Sequence, residues 1–169
     1  MNLLLLFLFI IIIKFVYYYY YNYKYANLII PNLWLGSRVS SLDKEFIQRN
    51  NIQLIINCTK NLPFIDLLYL NKYRLEVHDN FSKETHDRIL EKISEINELI
   101  DYYLKNNKGV LIHCHAGMQR AATVTACYLM YKYLYNVDNV IKFIKKKRKI
   151  AFRPRVNYYN VLLEFKTKL

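Results

Sequence analysis

Val110-Leu-Ile-His-Cys-His-Ala-Gly-Met-Gln-Arg120 is the stretch on which the reading of this chain turns. Val110 to His113 is a short apolar run behind Gly109, which predicts a buried strand, and a helix is predicted from about Ala121 to Tyr135. A loop of this length between a buried strand and a helix N-terminus points successive backbone N–H groups inward, and the helix dipole adds partial positive charge at the same spot. Such a loop is an anion cradle. Cys114 stands at its start and Arg120 at its end. The amides and Arg120 are expected to lower the Cys114 pKa from the value of about 8.5 for a free thiol, leaving a thiolate at neutral pH. The planar fork of Arg120 can take two phosphate oxygens and follow the transferring group into the transition state. A thiolate in a phosphate cradle implies attack on phosphorus and a cysteinyl-phosphate intermediate.

Outward from this loop, strand and helix signals alternate. Leu33–Gly36, Ile52–Asn57 and Tyr73–Val77 read as strands and Asp43–Asn50 as a helix. Ile89, Ile93, Ile96, Ile100 and Tyr103 recur at spacings of four and three, which predicts a long helix with Thr85 as N-cap and Asp87 in its first turn. Further helices are predicted over about Asp138–Lys149 and after Pro154. The fold class is therefore α/β, with a mainly parallel central sheet flanked by helices.

Composition bounds the rest. The chain has 169 residues, 54% of them hydrophobic, and a formal net charge of +12. That length suits one domain, and that apolar content excludes disorder throughout. Three cysteines, at 58, 114 and 127, make no disulfide framework and favour a reducing compartment. The charge is uneven: residues 138–169 hold 10 basic and 2 acidic side chains, whereas residues 27–137 are nearly neutral.

Residues 1–26 form a hydrophobic, Tyr-rich head, and residues 27–169 the expected catalytic domain. Leu3 to Tyr21 is about the minimum length for a membrane span, with tyrosines placed for an interface. Lys14 and Lys24 on its C-terminal side would keep the remainder in the cytoplasm. Two readings stand for the head: a membrane anchor, or a low-complexity extension rich in residues of AT-rich codons.

The central motif resembles the signature of the cysteine-dependent protein tyrosine phosphatases, His-Cys-x5-Arg followed by Ser or Thr, and in particular their dual-specificity branch. The likeness runs over nearly all of residues 28–169: IIPNLWLGS is similar to the family's opening strand, IQLIINCT to its second, and IKKKRKIAFRPRVNYYNVLLEF to its closing helices. It implies hydrolysis of phosphotyrosine or phosphoserine/threonine in protein substrates, without a metal or organic cofactor. Cys114 is then the nucleophile, and Arg120 binds phosphate together with the loop residues His115, Ala116, Gly117, Met118 and Gln119. The resemblance also implies a general acid after the third strand, which LEVHDN places at Asp79, with Asp66 and Asp87 as alternatives. Ala121 stands where most members carry a hydroxyl that helps the thiolate leave, which implies slow turnover. Arg155 follows Pro154 where relatives commonly have Asn. An RNA 5′-triphosphatase, a phosphoinositide phosphatase and a weakly active phosphoprotein-binding module are the other readings of the same loop.

Cys58 reads either as a small buried hydrophobe or, by the resemblance, as a redox partner of Cys114; Cys127 reads as core. His113 is expected to support the loop and His115 to face substrate. With no Cys or His at zinc spacing elsewhere, the two flanking histidines do not read as a metal site. Lys145–Lys149 reads as a solvated helix end or as a patch for acidic phosphopeptides, anionic lipid or RNA. No aromatic RNA-binding signature accompanies it, which argues against nucleic acid as a partner.

Overall fold

The computed structural model describes residues 3–169, leaving aside the side chains of residues 1–4 and 18–24. Helix α1 (Leu3–Lys24) is followed by β1 (Asn27–Ile30), β2 (Leu33–Gly36), α2 (Arg38–Ser41), α3 (Lys44–Arg49), β3 (Ile52–Asn57) and β4 (Asn71–Arg74). Then come α4 (Lys83–Lys105), β5 (Gly109–His113), α5 (Arg120–Tyr133), α6 (Val137–Lys147) and α7 (Tyr159–Thr167). The strands make one sheet in the order β1-β2-β5-β3-β4, antiparallel between β1 and β2 and parallel elsewhere. The expected α/β class with a mainly parallel sheet is the class observed.

β5 lies in the middle because every one of its residues is buried, so neither face can look onto water. Val110 and Ile112 turn to one face, where they join Leu54, Ile56, the predicted α4 stripe and the buried sides of α5, α6 and α7. Leu111 turns to the other, against Ile52, Ile55 and the α3 residues Phe46 and Ile47. Each of these aliphatic side chains contributes roughly 1.5–3 kcal/mol on leaving water, and together they hold the C-terminal end of β5 rigid beneath the Cys114 loop.

Several boundaries differ from the sequence reading. Ser82, not Thr85, caps α4: its backbone is extended (φ −68°, ψ 159°) and its hydroxyl accepts from the Thr85 N–H, while Thr85 is buried with its own hydroxyl on Asn80. The strand predicted at Tyr73–Val77 is β4 at Asn71–Arg74, although Leu75 N–H still donates to Asn57 O at 3.0 Å. The opening strand is a hairpin of two, because Pro31 and Asn32, the latter at φ 63°, turn the chain back between β1 and β2. Asp43 and Asn50 lie just outside α3 as its caps.

The predicted span Leu3–Tyr21 reaches residues 18–21, outside the described side chains. Within α1 the large apolar side chains from Leu5 to Tyr17 are exposed. Among the described residues no helix is long and apolar enough to cross a membrane.

Candidate active site

The loop from Cys114 to Gln119 is shaped by what holds its carbonyls. His115 O accepts from Arg38 N–H at 3.0 Å, Met118 O from Phe152 N–H at 2.8 Å, and Gln119 O from Thr123 N–H at 2.8 Å. Ala116 O and Gly117 O both accept from the Arg148 guanidinium, each at 2.9 Å. The four carbonyls from His115 to Met118 are thus drawn outward by Arg38 and by the 148–152 segment, while Gln119 O takes the first bond of α5. A planar trans peptide sends its C=O and the following N–H in opposite directions, so the amides that follow face inward, over the N-terminus of α5. Gly117 N–H already meets Cys114 Sγ at 3.2 Å.

Gly117 makes this path sterically open. Its φ is +65°, and a Cβ there would lie 2.2 Å from Gly36 O, at the end of β2. Gly36 is paired in the sheet with His113, so the loop is threaded tightly against β2. His113 itself is buried, and that desolvation pushes its pKa down to about 4, leaving the ring neutral at pH 7. Its Nδ1 stands 3.4 Å from Cys114 O.

Arg120, the first residue of α5, is 7% exposed. It donates from Nη1 to Val77 O at 3.2 Å and from Nη2 to Asp79 Oδ2 at 3.1 Å, while its buried Nε has no acceptor among the described residues. The structure thus brings Asp79 to the loop and leaves both alternative acids away from it. Asp66 is fully exposed near Lys72, and Asp87 is paired along α4 with Lys83 at 2.6 Å. The segment carrying Asp79 is fastened from below: Tyr158 donates to His78 O at 3.2 Å, and Phe81, at φ +53°, packs edge-on against the Tyr158 ring. Asp79 itself keeps 53% of its side chain exposed, which leaves it room to move.

The remaining candidates separate by burial. His115 is exposed at the mouth, beside a cleft walled by Arg38, Val39, Leu42 and Asp43. The Gln119 side chain turns away from the cradle and bonds Arg153 O, Arg155 O and Asn157 N–H, which secures the 153–157 loop, Arg155 included. Ala121 is buried immediately after Arg120. Cys58 is buried, its N–H on His113 O at 2.8 Å, and burial raises its thiol pKa well above the ordinary value; burial does the same to Cys127 in the core.

The basic run does not behave as one unit. Lys146 and Lys147 are exposed, but Arg148 has no exposed surface at all. α6 stops at Lys147, and the extended backbone at Arg148 (φ −131°, ψ 94°) turns the side chain inward beneath the loop. Neither reading of Lys145–Lys149, as solvated helix end or as surface patch, fits this residue. The one signal in the sequence was a lone Arg among lysines, the residue type whose rigid fork suits two neighbouring carbonyls.

A nucleophile candidate among inward amides, a buried guanidinium with an unpaired donor, and a half-exposed carboxylate paired with it suit the transfer of a tetrahedral oxyanion. The comparisons with known proteins agree. Residues 33–168 match the family model described as Dual specificity phosphatase, catalytic domain. Human dual specificity protein phosphatase 9 is 36% identical over 143 residues, and human dual specificity protein phosphatase 16 is 31% identical over 142. Each alignment takes in 83% of this chain but only 36% and 21% of the respective relative, so the chain spans well under half the length of these proteins. Among solved structures, DUSP15 superposes with a TM-score of 0.76 at 26% identity, covering 85% of this chain and 88% of the other. Human DUSP28 superposes with a TM-score of 0.76 at 19% identity, over 85% and 93%. Since the family match begins at β2 and runs through α7, enclosing the whole of the loop and everything that holds it, this chain belongs to the dual specificity phosphatases.

Proposed function

We propose that the protein is a protein phosphatase that hydrolyses phosphotyrosine, phosphoserine or phosphothreonine by way of a cysteinyl phosphate. The observation that carries the reading is the meeting of Arg120 and Asp79, 3.1 Å apart, over the Cys114 loop. Cys114 Sγ attacks phosphorus, the S–P bond forms as the ester P–O bond breaks, and Asp79 gives its proton to the leaving oxygen. Asp79 then takes a proton from water, whose oxygen attacks phosphorus and releases the sulfur, freeing inorganic phosphate. Through both steps Arg120 and the inward amides hold the equatorial oxygens. Ala121 offers no hydroxyl to the departing sulfur, so the second step is the slow one.

The deciding experiment measures phosphate release by the full chain and by Cys114→Ser from phosphotyrosine and phosphothreonine peptides, a phosphoinositide and 5′-triphosphorylated RNA. Release from the peptides that disappears in Cys114→Ser is expected. Release that survives the substitution overturns the mechanism. Release from the lipid or the RNA alone changes the substrate class, and tight peptide binding without turnover makes the protein a binding module.

We further take residues 27–169 as the catalytic unit and residues 1–26 as an appendage that meets a membrane surface through the exposed apolar side chains of α1. Sedimentation with anionic vesicles, lost in the double variant Ile10→Asp, Ile13→Asp, is the expected result. Cys58, through its bond to His113, lies one residue from the nucleophile's strand end and is proposed as its redox partner. Peroxide would convert the Cys114 thiolate to a sulfenic acid, and the Cys58 sulfur would displace water from it to close a disulfide. Peroxide-treated protein lacking a Cys58–Cys114 peptide in the mass spectrum would exclude that pairing.

A further inference from the structure

We infer that Arg148 is a positioning residue for the phosphate loop, fixing the direction of the Gly117 and Met118 amides and standing as a second positive charge behind the bound phosphate. The inference rests on the phosphate-loop reading above and deepens it.

The geometry is specific. Nη2 holds Ala116 O and Nε holds Gly117 O, both at 2.9 Å. Each of these carbonyls belongs to the same peptide plane as the next residue's N–H, so pinning them outward commits the N–H groups of Gly117 and Met118 to the inside of the loop. The inward direction is already visible in the bond from Gly117 N–H to Cys114 Sγ. Two adjacent carbonyls on a tight turn need two donors at fixed spacing, which a guanidinium edge provides and an ammonium does not. The opposite edge is itself held: Nη1 donates to Tyr25 O and to Asn27 Oδ1, each at 2.7 Å. The start of the sheet therefore sets where the guanidinium lies, and the guanidinium sets where two amides point.

The charge has its own consequence. All four acceptors of Arg148 are neutral, and no carboxylate pairs with it among the described residues. A buried cation without an anion is costly, and burial draws its pKa down to about 10, which still leaves it protonated at pH 7. The anion that balances it is the phosphate bound on the other side of the loop. A purely structural pin would support stability and nothing else. A positioning cation also supports affinity for an oxyanion and for the transition state.

The test uses the full chain as wild type, Arg148→Lys, Asn27→Ala and Arg148→Met. The readouts are the inhibition constant of orthovanadate, the dissociation constant of inorganic phosphate by calorimetry, kcat and KM on a phosphotyrosine peptide, and the melting temperature. Arg148→Lys keeps the charge but loses the fixed spacing of donors on two nitrogens; vanadate inhibition should weaken about tenfold and kcat fall by a similar factor, with KM changing less. Asn27→Ala should move the same quantities about two- to threefold in the same direction. Arg148→Met should exceed both, and if it does not fold the two milder variants decide. A folded Arg148→Lys or Asn27→Ala that binds vanadate and phosphate as the wild type does would overturn the inference, whatever its melting temperature. Because phosphate binding by calorimetry needs no turnover, this outcome is separable from a failure of the proposed hydrolysis, in which the wild type would bind phosphate but release none from any peptide.

Discussion

Replacing Gly117 with alanine strikes the place where the catalytic loop and the sheet touch. The residue sits at φ +65°, where a non-glycine costs about 1 kcal/mol. The added Cβ would lie 2.2 Å from Gly36 O and 2.7 Å from Gly36 C, inside the 3.0 Å that real Cβ atoms respect. Neither atom can rotate away, since both are backbone at the end of β2, paired in the sheet with His113. The loop or the strand end must therefore give by nearly an ångström. Overpacking of this kind typically costs about 1–3 kcal/mol, so the total comes to about 2–4 kcal/mol. In a domain of this size each kcal/mol lowers Tm by about 2–4 °C, which gives a fall of about 4–16 °C. The same Cβ would stand 3.0 Å from Arg148 Nη2, so the amides shift with the strand, and a misplacement near 1 Å lowers the rate about 100-fold. Thermal melting by circular dichroism and phosphate release from a phosphopeptide measure the two effects. A Gly117→Ala protein that melts within about 1 °C of wild type and turns over at the wild-type rate would refute the close threading of loop against strand.

Other expectations follow from the same geometry. Burial holds His113 at about 4 in the folded state against 6.5 in the open chain, so between those values the unfolded chain binds a proton that the folded one does not. The stability this supplies is complete above about pH 6.5 and is lost on acidification towards pH 4, by up to about 3 kcal/mol; Tm measured against pH should fall less steeply over that window in His113→Gln. Asp79→Asn should lower kcat on alkyl phosphoester substrates by about 10²–10⁴, and far less on a substrate whose leaving group is already acidic, such as a nitrophenyl phosphate; equal losses on both would remove Asp79 as the proton donor. Ala121→Ser should raise kcat with phenolic phosphates, and rapid-quench trapping should show less phosphoenzyme at steady state; an unchanged or lower rate would place the slow step elsewhere.

Much of the fold was legible because it rests on local rules. The apolar run Val110–His113 could only be a strand buried on both faces, and the spacing of Ile89, Ile93, Ile96 and Ile100 could only serve a helix with one side in the core; both lie as read. Errors fell where two local signals competed. Ser82 and Thr85 are both good caps, and the choice was made by burial of Thr85, which depends on residues far away in sequence. In the site, Cys114, Gly117 and Arg120 are contiguous and so were visible together. Arg148 is separated from its partners by 31 residues on one side and 121 on the other. No periodicity encodes such a contact; in the sequence it is one more cation in a run of five. For Gln119 the motif spoke only of the backbone: its side chain finds its partners on the 153–157 loop, a contact no local pattern encodes.

The burial of Arg148 within the run Lys145–Lys149 has a practical consequence for mutagenesis. Block replacement of a basic cluster by alanine or glutamate is the usual way to ask whether it recruits a lipid or an acidic partner. In this protein such a block change would also dismantle the support of the catalytic loop, and the loss of activity that followed would be misread as loss of recruitment. Charge reversal confined to Lys146 and Lys147, whose side chains are exposed, asks the recruitment question alone. The five residues look alike in the sequence, yet they belong to two different parts of the machine.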